Sequence, residues 1–216
     1  MYLQKALTKS IRTDFIVEMV QMVSGLLLVL FLWTHMVFVA SILLGQSSFG
    51  ALAGFMDKYE LLPVTVVVLI FIFAAHIGAI MRHLPARWAE QKVAWRHAKM
   101  IRHKDTWSWL FQIVTGFGIL LFAFIHIVAV TYGGISVSLS KGRIDNPGFL
   151  IFYAILLLMS EYHASVGLYR IFVKWGFVNR HRLDRVLGVV TLLMLVIGFV
   201  TLGVFLTLKV AGGGVA

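Results

Sequence analysis

The stretch L-L-P-V-T-V-V-V-L-I-F-I-F-A-A-H-I-G-A-I-M, residues 61–81, decides the fold of this chain. It contains no Asp, Glu, Lys or Arg, and its one imidazole, His76, lies in its second half. A helix needs about 20 mostly apolar residues to cross the hydrocarbon core of a bilayer. The stretch therefore predicts a transmembrane helix.

The rest of the chain contains four more runs of this kind. Of its 216 residues, 60% are hydrophobic and 13% are charged, which is typical of an integral membrane protein. We predict an all-α, integral membrane bundle of five transmembrane helices, forming one membrane domain over residues 1–216. The first run is too long for a signal peptide, so we expect it to be retained. The predicted spans are residues 19–44, 61–81, 107–132, 147–172 and 186–208.

The chain has no cysteine. Disulfides, Cys-ligated zinc and iron–sulfur clusters held by this chain are therefore excluded. The net charge of +10 is compatible with nucleic-acid binding, but the placement of the charges favours another explanation.

Most of the 19 Lys and Arg residues fall on one side of the predicted bundle. They occupy the N-terminal segment, the connection 82–106 and the connection after the fourth span. The positive-inside rule places this side in the cytoplasm, with the N-terminus, and the C-terminus outside. The basic excess is thus explained by topology and membrane lipid, and we expect no nucleic acid. The long, basic and aromatic 82–106 connection is suited to docking a cytoplasmic partner.

Four of the eight histidines lie inside predicted spans, one in each of the first four. At about 1.5 Å per helical residue, His35 and His126 are roughly 24 and 28 Å from the cytoplasmic ends of their spans. His76 and His163 are roughly 8 and 14 Å from theirs. Two imidazoles therefore share an outer level and two share an inner level, each pair on two different helices. The other four, His83, His97, His103 and His181, lie in basic cytoplasmic connections, and most of them are expected to be solvated or to face lipid.

Paired imidazoles across a bundle suit the axial positions of six-coordinate haem. Small residues that let a cofactor approach the backbone lie in the same spans, although close helix packing explains each of them equally well: Ser24-Gly25, Gly78, Thr115-Gly116-Phe117-Gly118 and Gly167. A divalent-metal site would need carboxylates beside the histidines, and only Glu161 qualifies. The pattern favours two b-type haems stacked across the membrane.

In these features the chain resembles the five-helix, dihaem cytochrome b subunits of succinate:quinone oxidoreductases, which include quinol:fumarate reductases. The resemblance covers roughly residues 19–208 and depends on the order and spacing of several motifs together. These are H-M-V-F-V-A-S-I-L-L-G from His35, M-R-H-L-P from Met81, R-H-K-D-T from Arg102, Q-I-V-T-G-F from Gln112, E-Y-H-A-S-V-G-L-Y-R from Glu161, and Lys174-Trp175-Gly176.

The resemblance implies ligation of an outer, distal haem by His35 and His126 and of an inner, proximal haem by His76 and His163. This agrees with the pairing by depth. It also implies a bacterial inner-membrane complex with a flavoprotein subunit and an iron–sulfur subunit on the cytoplasmic face. This chain would oxidise menaquinol or reduce quinone, with no dicarboxylate site of its own. Dimerisation of the whole complex is an expectation from the family alone.

Two glutamates are candidates for proton chemistry. Glu161 lies two positions from His163, about 200° around a helix, and so points away from the ligand face. The resemblance implies that it carries protons across the membrane alongside the electrons; the alternative is a protonated Glu making one interhelical hydrogen bond. Glu60, in Lys58-Tyr59-Glu60-Leu61, is implied to accept a proton from quinol, although a Glu before a helix also interacts favourably with the helix dipole.

Three cationic residues are candidates for haem propionates. Lys174 and His103 match the cytoplasmic pattern of the family, and Arg143 is an outer candidate. Two other functions remain open from the residues. One is the quinone-reactive cytochrome b anchor of a periplasmic hydrogenase or formate dehydrogenase, which docks its partner outside. The other is a haem-free transporter with a histidine proton relay, which predicts a colourless protein.

Overall fold

A computed structural model describes residues 11–82, 84 and 87–209 of the chain. Within these residues every regular element is helical, as predicted. A 3-10 turn at Ser41–Leu44 follows the first helix. The α-helices are α1 (Ile11–Ala40), α2 (Gln46–Lys58), α3 (Leu61–Met81), α4 (Trp88–Ile101), α5 (Lys104–Gly133), α6 (Val137–Asp145), α7 (Pro147–Lys174) and α8 (Arg180–Thr207).

Five helices are long and apolar enough to cross a membrane, which confirms the predicted number. They are α1 with its 3-10 turn, α3, α5, α7 and α8. Three of them begin earlier than predicted, at Ile11, Lys104 and Arg180. The first turns of these helices are polar and extend each helix beyond its apolar run. Long basic side chains are tolerated there because they keep their charged ends in water while their stems cover apolar surface.

Side chains that accept backbone N–H groups mark where two of the spans begin. Asn146 accepts from the N–H groups of Gly148 and Phe149 at 2.8 and 3.3 Å, directly before Pro147 at the first helical position. Asn179 accepts from the N–H of His181 at 3.0 Å and begins α8. Each cap satisfies donors that the first helical turn leaves unpaired.

The outer connections are themselves helical, which the sequence analysis did not predict. Gly45 breaks the chain between the 3-10 turn and α2 with φ +114°, a conformation that glycine adopts without strain. The second short helix, α6, lies against the outer ends of α7 and α8. Its Lys141 donates to the carbonyl of Leu206 at 3.4 Å, near the end of α8. Two outer helices therefore cover the bundle on this side.

The bundle is built around an interior space. α1 packs along α3, α7 and α8, and α5 packs along α7, whereas α3 and α5 touch only over a short stretch. The four helices α3, α1, α7 and α5 therefore surround a central cavity, with α1 opposite α5 and α3 opposite α7. α8 lies outside this ring against α1 and α7.

The outward surface of the helices is apolar. Phe71 is 72% exposed and Phe124 is 66% exposed, and many other large apolar side chains share this position. An apolar surface of this extent marks a membrane-facing protein rather than one in water. The membrane therefore covers the outside of the ring, and the polar groups that matter for function are those facing inwards.

Candidate haem and electron-transfer site

A cavity of about 1260 Å³ runs through the ring of four helices. All four intramembrane histidines line it: His35, His76, His126 and His163. Pockets that hold one small ligand or cofactor have volumes of about 300–1,000 Å³. The space is therefore larger than one such group needs, and it reaches both predicted histidine levels.

The two outer histidines face each other across the cavity from opposite helices. The ring centres of His35 on α1 and His126 on α5 are 5.8 Å apart, with an interplanar angle of 63°. Phe31 stacks on His35 at 5.6 Å, and the Tyr153 ring lies edge-on to His126 at 5.5 Å. Aromatic contacts at these distances fix the orientation of an imidazole ring. The structure thus brings together the two histidines that depth alone had paired.

The inner histidines come from the other two opposite helices, α3 and α7. Nδ1 of His76 lies 3.1 Å from the Ser24 hydroxyl. Nδ1 of His163 lies 3.0 Å from the carbonyl oxygen of Gln112 and 3.3 Å from the Thr115 hydroxyl. A carbonyl only accepts, so Nδ1 of His163 carries the proton and Nε2 keeps a free lone pair. Hydrogen bonding at one ring nitrogen in this way determines which nitrogen is available to a metal.

Two glycines keep the helix backbone close to the inner histidines, which fits a cofactor-binding role. A Cβ atom on Gly25 would lie 3.2 Å from Cε1 of His76, and one on Gly116 would lie 3.0 Å from Cε1 of His163. These two glycines therefore make room for the imidazoles, and cofactor access to the backbone at Ser24-Gly25 and Thr115-Gly116 stays a prediction. By contrast, nothing lies within 4 Å of a Cβ placed on Gly78. The four imidazoles, the cavity and the two glycines fit haem held by paired histidines.

Cationic side chains gather at the inner end of the cavity. Lys174 lines it and pairs with Glu18 at 2.7 Å. Arg170 also lines it and donates to the side-chain oxygen of Gln112 at 3.0 Å. From the sequence, Arg170 is counted only as a topological charge, although its position one turn before Lys174 indicates that it shares the same face.

The other two predicted cationic residues have different surroundings. Arg143 lines the outer end of the cavity and donates to the carbonyls of Gly134 and Ala129 at 2.6 and 3.4 Å. It therefore caps the end of α5 while facing the interior. His103 lies outside the cavity lining, where its ring accepts from the N–H of Asp105 at 3.3 Å as the N-cap of α5.

Glu161 is buried in the bundle, 1% exposed, and does not line the cavity that His163 lines. This agrees with the angle of about 200° between the two positions. The Trp33 indole of α1 lies near its carboxyl group. Oε1 of Glu161 and Nε1 of Trp33 are both buried, and neither has a hydrogen-bond partner. The carboxyl group thus lies on the side of α7 that faces away from the histidines.

Glu60 is exposed at the outer end of the bundle, where it directly precedes α3. Its backbone is left-handed, with φ 50°, and its side chain makes no capping hydrogen bond. Few residues other than glycine adopt this conformation, and it is commonest at turns and functional sites. Met56 and Leu62, on either side of it in sequence, line the cavity. Glu60 therefore lies close in sequence to the outer end of that space.

Comparison with known proteins identifies the family. The family described as succinate dehydrogenase/fumarate reductase transmembrane subunit matches residues 88–202. The chain is 31% identical over 208 residues to the fumarate reductase cytochrome b subunit of Wolinella succinogenes, covering 86% of this chain and 79% of that protein. The chain belongs to this family.

Two more relatives agree. The fumarate reductase cytochrome b subunit of Helicobacter pylori is 29% identical, with 88% of this chain and 79% of that protein covered. The succinate dehydrogenase cytochrome b558 subunit of Bacillus subtilis is 26% identical, with 77% and 82% covered. This succinate dehydrogenase/fumarate reductase transmembrane subunit is thus a cytochrome b membrane anchor of a multi-subunit enzyme, as the resemblance predicted.

Proposed function

We propose that this chain binds two b-type haems, oxidises menaquinol or reduces quinone at its outer end, and transfers electrons across a bacterial inner membrane. The observation that carries the proposal is the arrangement of four imidazoles, in two pairs at two depths, around one continuous cavity. His35 and His126 would hold the distal haem, and His76 and His163 the proximal haem. Two b-type haems held in this way supply a path for single electrons between the two faces of the membrane.

The cationic side chains are suited to the propionate groups of these cofactors. Lys174 and Arg170 lie at the inner end of the cavity, and Arg143 lies at the outer end. His103, as an exposed N-cap, has the weaker support. Charge-assisted hydrogen bonds from Arg and Lys to carboxylates are about twice as strong as neutral ones, which favours this role.

Glu60 is proposed to accept a proton from quinol on the outer side. Oxidation of one quinol to quinone releases two electrons and two protons, and a carboxylate at the interface is suited to receive a hydroxyl proton. Glu161 is proposed to carry protons inwards. Its burial in the bundle favours the neutral, protonated carboxyl group and excludes a role as a surface charge. Proton movement alongside the electrons would cancel the charge they carry across the membrane.

The partners are proposed to be an iron–sulfur subunit and a flavoprotein subunit on the cytoplasmic face. Helix α4 lies on that face, with Trp88 70% exposed and Met100 71% exposed beside several basic residues. A basic surface with exposed aromatic and Met side chains is suited to protein docking. The family assignment favours this arrangement over the anchor of a periplasmic hydrogenase or formate dehydrogenase. Dimerisation of the complex remains an expectation.

The test is a reduced-minus-oxidised spectrum of the purified complex, with a pyridine haemochrome count. Two b haems per chain are expected, and changing any one of His35, His76, His126 and His163 to Ala is expected to remove one of them. A Thr207→Ala variant is the control, because this hydroxyl bonds only to its own helix. One haem per chain would contradict the proposed electron path across the membrane. A complex without haem would favour the alternative in which the histidines form a proton relay.

A further inference from the structure

The two helices that carry the outer histidines contain the same sequence pattern. Residues 21–35 read Q-M-V-S-G-L-L-L-V-L-F-L-W-T-H, and residues 112–126 read Q-I-V-T-G-F-G-I-L-L-F-A-F-I-H. Gln, Val, a hydroxyl residue, Gly, Leu, Phe and His recur at matching positions. The pattern is therefore a repeat, on α1 and again on α5.

The spacing within the repeat connects the two levels of the cavity. From Ser24 to His35, and from Thr115 to His126, the chain advances eleven residues. Eleven residues correspond to about three helical turns and about 16 Å, so the hydroxyl and the histidine lie on the same helix face. Each repeat thus presents a histidine at the outer level and a hydroxyl–glycine pair at the inner level.

The structure shows what each hydroxyl–glycine pair contacts. Ser24 and Gly25 lie against His76 of α3, and Thr115 and Gly116 lie against His163 of α7. Each copy of the repeat therefore supports the inner histidine of a neighbouring helix, by the same two residue types. The carbonyl of the repeated glutamine adds to this, since Gln112 O accepts from His163.

Counting hydrogens decides the direction of these bonds. A hydroxyl has one hydrogen. Ser24 Oγ donates it to the carbonyl of Val20 at 2.6 Å, so the 3.1 Å contact with His76 has Nδ1–H donating to Oγ. Thr115 Oγ1 similarly donates to the carbonyl of Phe111 at 2.9 Å and accepts from His163. Both inner imidazoles are thus protonated at Nδ1, which leaves the lone pair on Nε2 available to a metal.

We infer that Ser24 and Thr115 are positioning residues that hold His76 and His163 in this tautomer and tune the reduction potential of the group the two histidines bind. The inference rests on the function proposed above. A hydrogen bond accepted from the second ring nitrogen of a ligating histidine orients the ring and makes it a stronger electron donor. Stronger donation stabilises the oxidised metal, so removing the acceptor raises the reduction potential.

The experiment titrates the two haems of the purified complex by potential, with the electron paramagnetic resonance signal of each ferric haem as a second readout. In Ser24→Ala the potential of the haem held by His76 is expected to rise, while that of the other haem stays unchanged. Thr115→Ala is expected to shift the same haem by less, because the carbonyl of Gln112 still accepts from His163.

Two variants serve as controls. Ser24→Thr keeps the hydroxyl and is expected to restore the wild-type potential. Ser41→Ala removes an equally buried hydroxyl that bonds only to its own backbone, at the carbonyl of Phe38, and lies outside the cavity lining. Selective loss of the inner haem from Ser24→Ala, with retention in both controls, would also support the inference.

The inference is overturned if Ser24→Ala matches Ser41→Ala at both haems, or if both haems shift alike. These failures leave the proposed function intact, because they presuppose two haems in the wild-type complex. A wild-type complex without haem overturns the proposed function and this inference together, so the two are distinguished by the spectrum recorded first.

Discussion

Glu161 is an ionisable residue in surroundings that disfavour its charged form. It is the most deeply buried ionisable side chain among the described residues, and its Oε1 lacks a hydrogen-bond partner. A charged carboxylate at bilayer depth costs several kcal/mol, so such residues face a partner or a pathway. The indole of Trp33, from α1, lies near it. This combination is compatible with a carboxyl group that gains and loses a proton during turnover.

Glu161→Gln separates proton carrying from packing, because the amide has nearly the same shape and cannot ionise. We expect both haems to remain and the rate of quinol-dependent fumarate reduction to fall by about 10²-fold or more, the lower end of what one proton-transferring side chain contributes. Fumarate reduction driven by a soluble electron donor to the partner subunits is the control and should not change. Wild-type quinol activity in this variant would show that Glu161 has only a packing role.

A second residue-scale prediction concerns Glu60. The side chain is exposed and makes no capping hydrogen bond, so Glu60→Gln is not expected to destabilise α3. If the carboxylate accepts the quinol proton, quinol oxidation should fall by about 10²-fold while the haem spectrum stays unchanged. Asp57→Asn, an exposed carboxylate near the end of α2, is the matched control. Equal activity of the two variants would leave Glu60 with a structural role alone.

At the scale of elements, α8 is the spanning helix that contributes no histidine to the cavity. Its packing depends on one small residue. A Cβ atom on Gly198 would lie 2.6 Å from Cδ2 of Leu157 and 2.9 Å from Cε of Met36. Small residues let membrane helices approach closely, which is what drives their association where lipid is as apolar as the side chains. Gly198 therefore sets the distance of α8 from α7 and α1.

Replacing this glycine tests that packing. Gly198→Leu is expected to destabilise the bundle by about 1–3 kcal/mol, the usual cost of overpacking. Gly203→Leu, on the same helix, is the control, because Gly203 is exposed and nothing lies within 4 Å of a Cβ placed there. Thermal unfolding in detergent should give a lower midpoint for the first variant only. Equal midpoints would mean that α8 is not held through Gly198.

At the scale of the whole molecule, two of the few outer cations have a structural role. Lys141 and Arg143 on α6 both donate to carbonyl groups near the outer ends of spans, Leu206 of α8 and Gly134 of α5. Cations at these positions interact favourably with helix C-termini. Lys141 and Arg143 are thus bound locally, and the orientation is predicted from the basic excess at the opposite end of the bundle.

The absence of native cysteine makes this orientation directly measurable. In intact cells stripped of their outer barrier, a membrane-impermeant thiol reagent should label Ser138→Cys, which is exposed on α6, and should leave Lys92→Cys, exposed on α4, unlabelled. Opening the cells should expose Lys92→Cys and serves as its control. The reverse labelling would invert the proposed topology and place the partner subunits outside.

Much of the architecture could be predicted from the sequence. The five spans and the two histidine levels depend on the length of apolar runs and on a constant helical rise, which are local properties. The orientation, which depends on charge, stays a prediction. The helical outer connections were missed because Gly45-Gln46-Ser47-Ser48 is typical of a loop, yet Gly45 is the break before α2. The repeat at residues 21–35 and 112–126 was present in the sequence and predicts the hydroxyl contacts only once the helices are known to be neighbours.

The tertiary structure alone decided how each helix is rotated and which side chains meet. That Ser24 accepts from His76, that Arg170 reaches Gln112, and that Arg143 caps α5 could not be predicted from spacing along the chain. The same holds for the position of Glu161 beside Trp33. Each contact joins residues far apart in sequence, and the rotation of a helix is set by packing against all its neighbours at once. The sequence by itself therefore determined the depth of each functional residue, and packing determined its partner.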